Sequence, residues 1–283
     1  MKKFELTTDF ITFYGKKLFR IRALVEFGTV KSGDCGGYVE KENNLSHDGN
    51  AWVFDNAWVS DNAQVSGDAQ VFDNARVSGD ALVFDNARVS GDAQVFDNAQ
   101  VFGDAQVFDN AQVFGDAWVF GDAWVFGNAR VFGDARVFGD AQVSGDAQVS
   151  DNARVSEGAR VFGNARVSED AQVFGDAWVS GDAQVSDNAQ VFDNTNYTTI
   201  KGFGSECRNT TFFRCTDGQI RVRCGCFCGT IDKFREKVKE THKDSKYATE
   251  YLMIADLMEY HFNDLCHIGR KKDHHETIVS EGR

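Results

Sequence analysis

The chain has 283 residues without a single proline, and its formal net charge is −13. This length is enough for one or two domains with a sizeable core. The negative charge disfavours direct binding to nucleic acid or to an anionic membrane face, and no apolar run approaches the ~18 residues that a membrane span needs.

The first 50 residues are predicted to form a β hairpin followed by an irregular coil. Residues 9–14 and 17–24 alternate as strands do, around a turn at Gly15-Lys16. Residues 30–50 then approximate a first coil of the repeat that follows, with Val39 and Leu45 six residues apart. Because the open end of a β-helix exposes unpaired strand edges, we expect residues 1–50 to cap it.

A six-residue repeat fills the middle of the chain. From Ala51 to Val191 the triplet Ala-x-Val recurs every six residues, in 24 consecutive units. Side chains alternate along a strand, so alanine and valine point to one side, and x and the following Phe or Ser to the other. Gly-Asp, Asp-Asn or Gly-Asn ends most units, and these residues tolerate tight or left-handed turns. We therefore predict a narrow core of alanine and valine, with x and Phe or Ser outside.

This unit resembles the motif of the hexapeptide-repeat left-handed β-helix family. The family motif is an aliphatic residue, a small or acidic residue, two variable residues, a small residue and one more variable residue. Residues 107–112, Val-Phe-Asp-Asn-Ala-Gln, fit it, except that Phe stands where glycine or an acid is usual. The resemblance implies that residues 51–194 form a left-handed parallel β-helix with three strands per coil. It implies about eight coils of about 18 residues and a height of roughly 40 Å.

The start of the chain carries a second resemblance. Residues 33–39 (Gly-Asp-Cys-Gly-Gly-Tyr-Val) and 43–46 (Asn-Asn-Leu-Ser) are similar to the beginning of uncharacterised phage and prophage proteins that carry a hexapeptide array. This implies a protein of phage type, expected in the host cytoplasm, and brings no function with it. A reduced compartment is also favoured by the odd number of cysteines, seven, and by an N-terminus without the pattern of a secretory signal.

The periodicity stops after Asn194, and residues 195–283 are predicted to form a small α+β module. Strands are expected over residues 210–214 and 219–227, around the turn signal Thr216-Asp217-Gly218. Residues 263–283 show no clear pattern and are expected to be mobile.

Two helices are predicted in this module. Thr230 is expected to cap the first, whose apolar face is Ile231, Phe234 and Val238. The second is expected over residues 246–262, capped by Ser245. Its apolar stripe consists of Tyr251, Ile254, Ala255, Met258 and Phe262.

The negative charge belongs to the repeats. Between Asp48 and Asn194 there are 24 acids against 7 arginines, a net charge of −17. Corner acids are expected to stack about 4.8 Å apart, where like charges repel one another and attract cations or basic proteins. The alternative is that Asp and Asn are present only to make corners. The candidate binding acids lie in the middle coils: Asp92, Asp97, Asp104, Asp109, Asp116, Asp122, Asp134 and Asp140.

Aromatic residues form the second candidate surface. The residue after each valine is Phe in an unbroken run from Phe96 to Phe138, which we term the Phe collar. Soluble monomers rarely expose so much continuous apolar area, so the collar is predicted to be a contact surface with tryptophan anchors. The alternative is that stacked rings shield one another. The candidate aromatic residues on one edge are Phe84, Phe102, Phe120 and Phe138, with Trp118 and Trp124 nearby.

Acyl transfer and metal binding are the remaining chemistries to consider. The family resemblance implies an acyltransferase with a histidine base, but none of the six histidines lies in the repeats. A base must reach the proton that it removes, so we expect no enzyme. Cys224, Cys226 and Cys228 are predicted to alternate on one face of a strand, which is not the usual zinc spacing. We interpret them as small buried apolar residues and expect no metal or cofactor.

Three functional hypotheses follow. The first is a non-catalytic acidic scaffold that binds a basic, nucleic-acid-handling host protein, and so acts as a nucleic-acid mimic or inhibitor. The second is a homo-oligomeric structural spacer joined through the Phe collar. The third is an enzyme or metal site in the C-terminal module. No direct nucleic-acid or membrane partner is expected.

Overall fold

The computed structural model describes residues 1–268. The chain divides into two compact units, Met1–Asn194 and Thr195–Arg283. The tail without a clear pattern is predicted over residues 263–283. Residues 263–268 instead continue a helix, and the rest of this prediction lies outside the described residues.

The first unit begins with an antiparallel hairpin of β1 (Phe4–Phe13) and β2 (Lys16–Ala23). The turn lies at Tyr14 and Gly15, both at positive φ (44° and 80°), so the predicted turn at Gly15-Lys16 is displaced from the observed one. The reason is that glycine takes the second place of a two-residue turn in which both residues need positive φ. β3 (Cys35–Val39) pairs antiparallel with β2 and parallel with the first sheet of the repeats.

Three parallel sheets form the sides of a β-solenoid. Each repeat supplies one short strand, x and Val, which pairs with the strand three repeats further on. The sheet that continues from β3 contains Trp58–Val59, Arg76–Val77, Gln94–Val95, Gln112–Val113, Arg130–Val131, Gln148–Val149, Arg166–Val167 and Gln184–Val185. The second contains Trp52–Val53, Gln70–Val71, Arg88–Val89, Gln106–Val107, Trp124–Val125, Gln142–Val143, Arg160–Val161 and Trp178–Val179. The third contains Gln64–Val65, Leu82–Val83, Gln100–Val101, Trp118–Val119, Arg136–Val137, Arg154–Val155, Gln172–Val173 and Gln190–Val191.

The interior of this solenoid is formed by alanine and valine, as predicted. Every Ala and Val of the repeats is 0 % exposed, and the residue after most valines lies at or near the surface. Ser60 and Ser186 are exceptions, because both are buried. The prediction that x lies outside is also wrong for Trp52 and Trp58, which are buried because Phe4 and Phe13 of the hairpin pack on them.

Backbone hydrogen bonds join successive coils: the Gln106 N–H donates to the Ala123 carbonyl at 2.9 Å, and the Phe108 N–H to the Val125 carbonyl at 3.0 Å. Polar backbone groups are therefore paired along the coil axis while the side chains fill the core.

An irregular turn precedes the regular coils, as the spacing of Val39 and Leu45 predicts. Val39 pairs with Val59 and Leu45 bridges Val65, so this turn is slightly longer than the coils that follow. A short 3₁₀ turn, Glu42–Asn44, lies between Val39 and Leu45. Together with the eight regular coils this makes about nine turns in the described part of the chain.

Side chains also bond to the exposed edge of the first regular coil. The Lys3 ammonium donates to the carbonyls of Gly49 (3.2 Å) and Ala51 (2.9 Å). The Asn44 amide donates to the carbonyls of Asp61 (3.1 Å) and Ala63 (2.8 Å). These contacts satisfy backbone groups that a preceding strand would otherwise have to pair.

The second unit contains an antiparallel sheet in the order β28-β29-β30-β31, where the solenoid strands are counted as β4 to β27. Its strands are Tyr197–Phe203, Arg208–Arg214, Ile220–Cys224 and Phe227–Thr230. The single strand predicted over residues 219–227 is wrong, because Gly225 takes a φ of +58° and turns the chain there. β28 has no counterpart in the prediction, since residues 195–203 show no clear alternation.

Helices α1 (Ile231–His242) and α2 (Lys246–Ile268) pack on this sheet. Both predicted caps are confirmed: Thr230 accepts the Lys233 N–H at 3.4 Å, and Ser245 accepts the Ala248 N–H at 3.3 Å. All residues predicted for the two apolar faces are buried, although α2 continues past its predicted end at Phe262. In the described part of the chain, no helix combines the length and apolarity required to cross a membrane.

Candidate interaction site

Each repeat ends in a corner of two residues with different roles. The first has positive φ, as in Asp97 and Asp109 (both 59°) or Gly103 (71°). This conformation suits glycine and is tolerated by aspartate better than by most residues. The second corner residue is usually Asp or Asn and is exposed.

Carboxylates at the first corner position help to build the corner. The Asp97 carboxylate accepts the Gly115 N–H at 3.2 Å, and the Asp109 carboxylate accepts the Gly127 N–H at 3.1 Å, each in the next coil. The same bond recurs from Asp73, Asp85, Asp151, Glu157 and Glu169. Of the candidate acids, Asp97 and Asp109 therefore serve the corner itself, as the corner-only interpretation expects.

Residues at the second corner position form ladders in which asparagine donates to the next coil. The Asn98 amide donates to Asp116 at 2.8 Å, and the Asn86 amide donates to Asp104 at 3.0 Å. Similar bonds join Asn62 to Asp80, Asn128 to Asp146, Asn152 to Asp170 and Asn164 to Asp182. Alternation of amide and carboxylate keeps neighbouring charges apart along most of the three edges.

One edge carries a run of three acids at the second corner position. Asp104, Asp122 and Asp140 follow one another in successive coils with no asparagine between them. Within residues 1–268, no side-chain hydrogen bond reaches the carboxylate of Asp122 or Asp140. The other candidate acids lack such a run, since Asp92 lies between Asn74 and Asn110, and Asp134 has only Asp116 as an acidic neighbour. Two charges about 4 Å apart repel by about 1 kcal/mol even in water, so this column gains most from a cationic partner.

The phenylalanines of the same edge stack face to face, as the predicted coil length requires. Ring centroids from Phe84 to Phe102, Phe120 and Phe138 lie 4.8, 4.9 and 4.9 Å apart, with interplanar angles of 4°, 1° and 3°. The rings are half-buried. The Phe collar is therefore less exposed than the contact-surface interpretation expects, because each ring covers its neighbours.

The two tryptophans lie on either side of the acidic column. Trp118 precedes the corner at Asp122. Its ring packs edge-on against Phe102, with the ring centroids 6.2 Å apart, and the Arg136 guanidinium lies over it, 5.0 Å from the ring centroid. Trp124 follows the corner and is 40 % exposed. We call this surface the acid–aromatic edge. It consists of Asp104, Asp122, Asp140, Phe102, Phe120, Phe138, Trp118 and Trp124.

The three candidate metal ligands do not lie on one strand face. Cys224 ends β30, Cys226 lies in the turn, and Cys228 lies on β31 opposite Arg223. The prediction that they alternate along one strand is wrong because of the turn at Gly225. The interpretation as buried residues is also wrong for Cys226 and Cys228, which are exposed. Among the described residues, no group of three His, Cys, Asp or Glu side chains could hold a metal ion.

The sequence analysis did not predict the contacts of His47, whose two ring nitrogens both have partners. His47 accepts the Lys3 N–H on Nδ1 at 3.2 Å, and its Nε2 lies 2.8 Å from Glu42 Oε1. Its ring stacks on Phe4. Hydrogen bonds from His47 and Lys2 lower the pKa of the Glu42 carboxyl. Because both ring nitrogens are engaged, neither is available as a general base in this arrangement. Lys3 and Phe4 are distant from His47 along the chain, so these contacts leave no local sequence signal.

Parallel coils with an alanine–valine core define a repeat protein of the β-solenoid class. A family model described as YdcK Beta solenoid repeat matches residues 69–83, 129–145, 147–161 and 159–173. The chain is thus similar to a β-solenoid repeat family over part of its array. A comparison with curated proteins finds no significant match.

Proposed function

We propose that this protein is a non-catalytic acidic scaffold that binds a basic protein through the acid–aromatic edge. The observation that carries the proposal is the run Asp104-Asp122-Asp140. It is flanked by Trp118 and by Trp124, which is 40 % exposed. Tryptophan is a frequent anchor of protein interfaces, and complementary charge raises association rates and selects partners.

The charge density supports the narrower proposal of a nucleic-acid mimic. A net charge of −17 over a solenoid roughly 40 Å tall is one charge per ~2.4 Å. Duplex DNA carries one charge per ~1.7 Å. A protein that handles nucleic acid presents a basic surface suited to such a field. If the chain is of phage type, that partner is a host protein in the cytoplasm.

Affinity capture from a bacterial lysate tests the proposal with two matched triple variants. D104N/D122N/D140N removes the acidic run, and asparagine already occupies this column at Asn86. D92N/D146N/D182N makes the same change in charge on another edge. We expect the wild type and the control to retain basic partners at ~0.1 M salt and to release them at ~1 M, where screening is strong. The acidic-run variant should retain markedly less.

Three outcomes would count against the proposal. Partners that are neutral or acidic and resist high salt would contradict it. Equal loss in both triple variants would reduce the effect to net charge. If duplex DNA fails to compete with the wild-type protein for the captured partner, the nucleic-acid mimic is contradicted and only the acidic scaffold remains proposed.

We further propose that the solenoid is left-handed, as the family resemblance implies, and that residues 1–50 cap its first coil. The bonds from Lys3 and Asn44 to carbonyls at the first coil, and the pairing of β3 with the strand Trp58–Val59, support the cap. The competing oligomeric spacer rests on the Phe collar, whose rings already pack on one another. A concentration-dependent mass in light scattering would favour that spacer instead.

A further inference from the structure

A cleft of about 430 Å³ lies where the tip of the β1–β2 hairpin meets the first three regular coils. Such a volume is within the range of small-molecule sites. Aromatic side chains line it from two directions. Phe13 and Tyr14 come from the hairpin, Trp58 and Phe96 from the coils. This cleft is separate from the acid–aromatic edge.

The cleft contains a gap in an aromatic stack. Phe96, Phe114 and Phe132 stack with centroids 4.9 and 5.0 Å apart. One coil before Phe96 the equivalent residue is Ser78. The face of the Phe96 ring that is turned towards this preceding coil therefore has no phenylalanine of the column against it. One coil earlier again, the Phe13 ring lies 4.7 Å from Trp58. The gap is therefore one coil high. The Phe96 ring lies at one end, and the Phe13–Trp58 pair, over which the Arg76 guanidinium lies, is at the other. A gap of this height suits one flat ring.

The hairpin wall of the cleft is held in place. Lys16, next to the turn, forms an ion pair with Asp61 at the corner of the first coil. Hydrogen bonds from Lys16 and from the Gly79 N–H lower the pKa of the Asp61 carboxyl. Phe13 also packs in the small core of Leu18, Tyr38 and Trp58. Tyr14, by contrast, is 91 % exposed at the rim.

Polar groups at the cleft favour an uncharged ring with hydrogen-bond acceptors. The Arg76 guanidinium lies over the rings of Phe13 (5.5 Å) and Trp58 (5.8 Å), and no carboxylate within residues 1–268 pairs with it. Its N–H groups can donate to a ligand, as can the Gln94 amide. The carboxylates of Asp61 and Asp97 already accept hydrogen bonds, and they repel an anionic ligand.

We propose that this cleft binds one neutral planar heteroaromatic ring of the purine-base class. The ring stacks on the uncovered face of Phe96, and its acceptor atoms face Arg76 and Gln94. The cleft shares no residue with the acid–aromatic edge, so this proposal is tested independently of the scaffold proposal.

Titration of the full chain with adenosine, followed by calorimetry and saturation-transfer NMR, tests this proposal. S78F would extend the stack beneath Phe96 and fill the gap. S90F makes the same change on another edge, between Phe72 and Phe108, away from the cleft. The next coil carries phenylalanine at both sites, Phe96 after Ser78 and Phe108 after Ser90, so both variants should fold. We expect S78F to weaken adenosine binding at least about tenfold, or about 1.4 kcal/mol, and S90F to leave it unchanged.

A second pair of variants examines the polar edge without filling the gap. Q94L should weaken adenosine binding severalfold, whereas Q112L, one coil further along the same sheet, should not; leucine already occupies such a position at Leu82. Adenosine 5′-monophosphate should bind more weakly than adenosine. Tighter binding of the monophosphate, equal affinity of S78F and wild type, or no saturable adenosine binding would each overturn the proposal.

Discussion

At the scale of single residues, the corners explain why aspartate is so frequent. An acid at the first corner position adopts positive φ at some cost and recovers it through a hydrogen bond to the next coil. In Asp109 this acceptor lies 3.1 Å from the Gly127 nitrogen. Much of the acidity of the array is therefore a product of corner construction, which leaves the second-position run Asp104-Asp122-Asp140 as the part that the corners do not require.

Lys3 provides a pH-dependent test at this scale. Burial lowers the pKa of its ammonium from 10.5 to about 8, so between these values the unfolded chain binds more protons than the folded one. Stability contributed by this group must then rise as the pH increases from about 8 to 10.5. The neutral amine still has two N–H groups for the carbonyls of Gly49 and Ala51.

The measurement is the urea midpoint between about pH 7 and pH 10.5. We expect the wild type to gain stability over this range relative to K3M, which has no titrating group there. K3M should also be less stable at every pH, because two carbonyls lose their donor. Parallel pH profiles for the two proteins would contradict the assignment.

At the scale of elements, the phenylalanine columns link successive coils through stacked rings, even though each solenoid strand is only two residues long. Phe120 stacks on both Phe102 and Phe138, while Phe162 makes a single edge contact with Trp178. Stacked pairs contribute about 0.5–1.5 kcal/mol each beyond area burial. F120S loses two ring pairs and F162S loses one, so F120S should lower the free energy of unfolding by about 0.5–1.5 kcal/mol more than F162S.

Urea unfolding, with hydrogen exchange to localise the effect, checks this expectation. Serine occupies the equivalent position in other coils, such as Ser156 in the same column, so neither variant should misfold. Equal losses from the two variants would show that the stack adds nothing beyond the burial of one ring.

The elements also show which parts of the structure the sequence could reveal. The Ala-x-Val period determines strand, interior and coil length, since each follows from alternation and a fixed repeat. The turns at Tyr14-Gly15 and at Gly225 depend on which residue of a pair takes positive φ, and composition alone does not decide that. The aromatic cleft needs the hairpin tip and three coils to meet, which is a tertiary event between residues with no shared pattern.

At the scale of the whole molecule, self-repulsion of the array should make stability depend on salt. A net charge of −17 over residues 48–194 is only partly relieved by amide ladders. Raising the ionic strength from ~0.01 to ~0.15 M shortens the Debye length from ~30 to ~8 Å. The melting temperature should therefore rise with salt, and rise less for D104N/D122N/D140N than for D92N/D146N/D182N. Thermal unfolding at both ionic strengths measures this effect. A melting temperature that does not change with salt would contradict the self-repulsion of the array.

The pairing of every strand with the one three repeats further on also constrains how the length of this protein can change. Loss or gain of one hexapeptide would rotate all later side chains to the next edge and misalign the columns. Loss or gain of three hexapeptides, which is one whole coil, would keep every later residue in its column. It would change the length of the solenoid by about 4.8 Å. Duplication of the gene in such blocks would thus turn the solenoid into a ruler with evenly spaced graduations, adjustable without redesign of its interior.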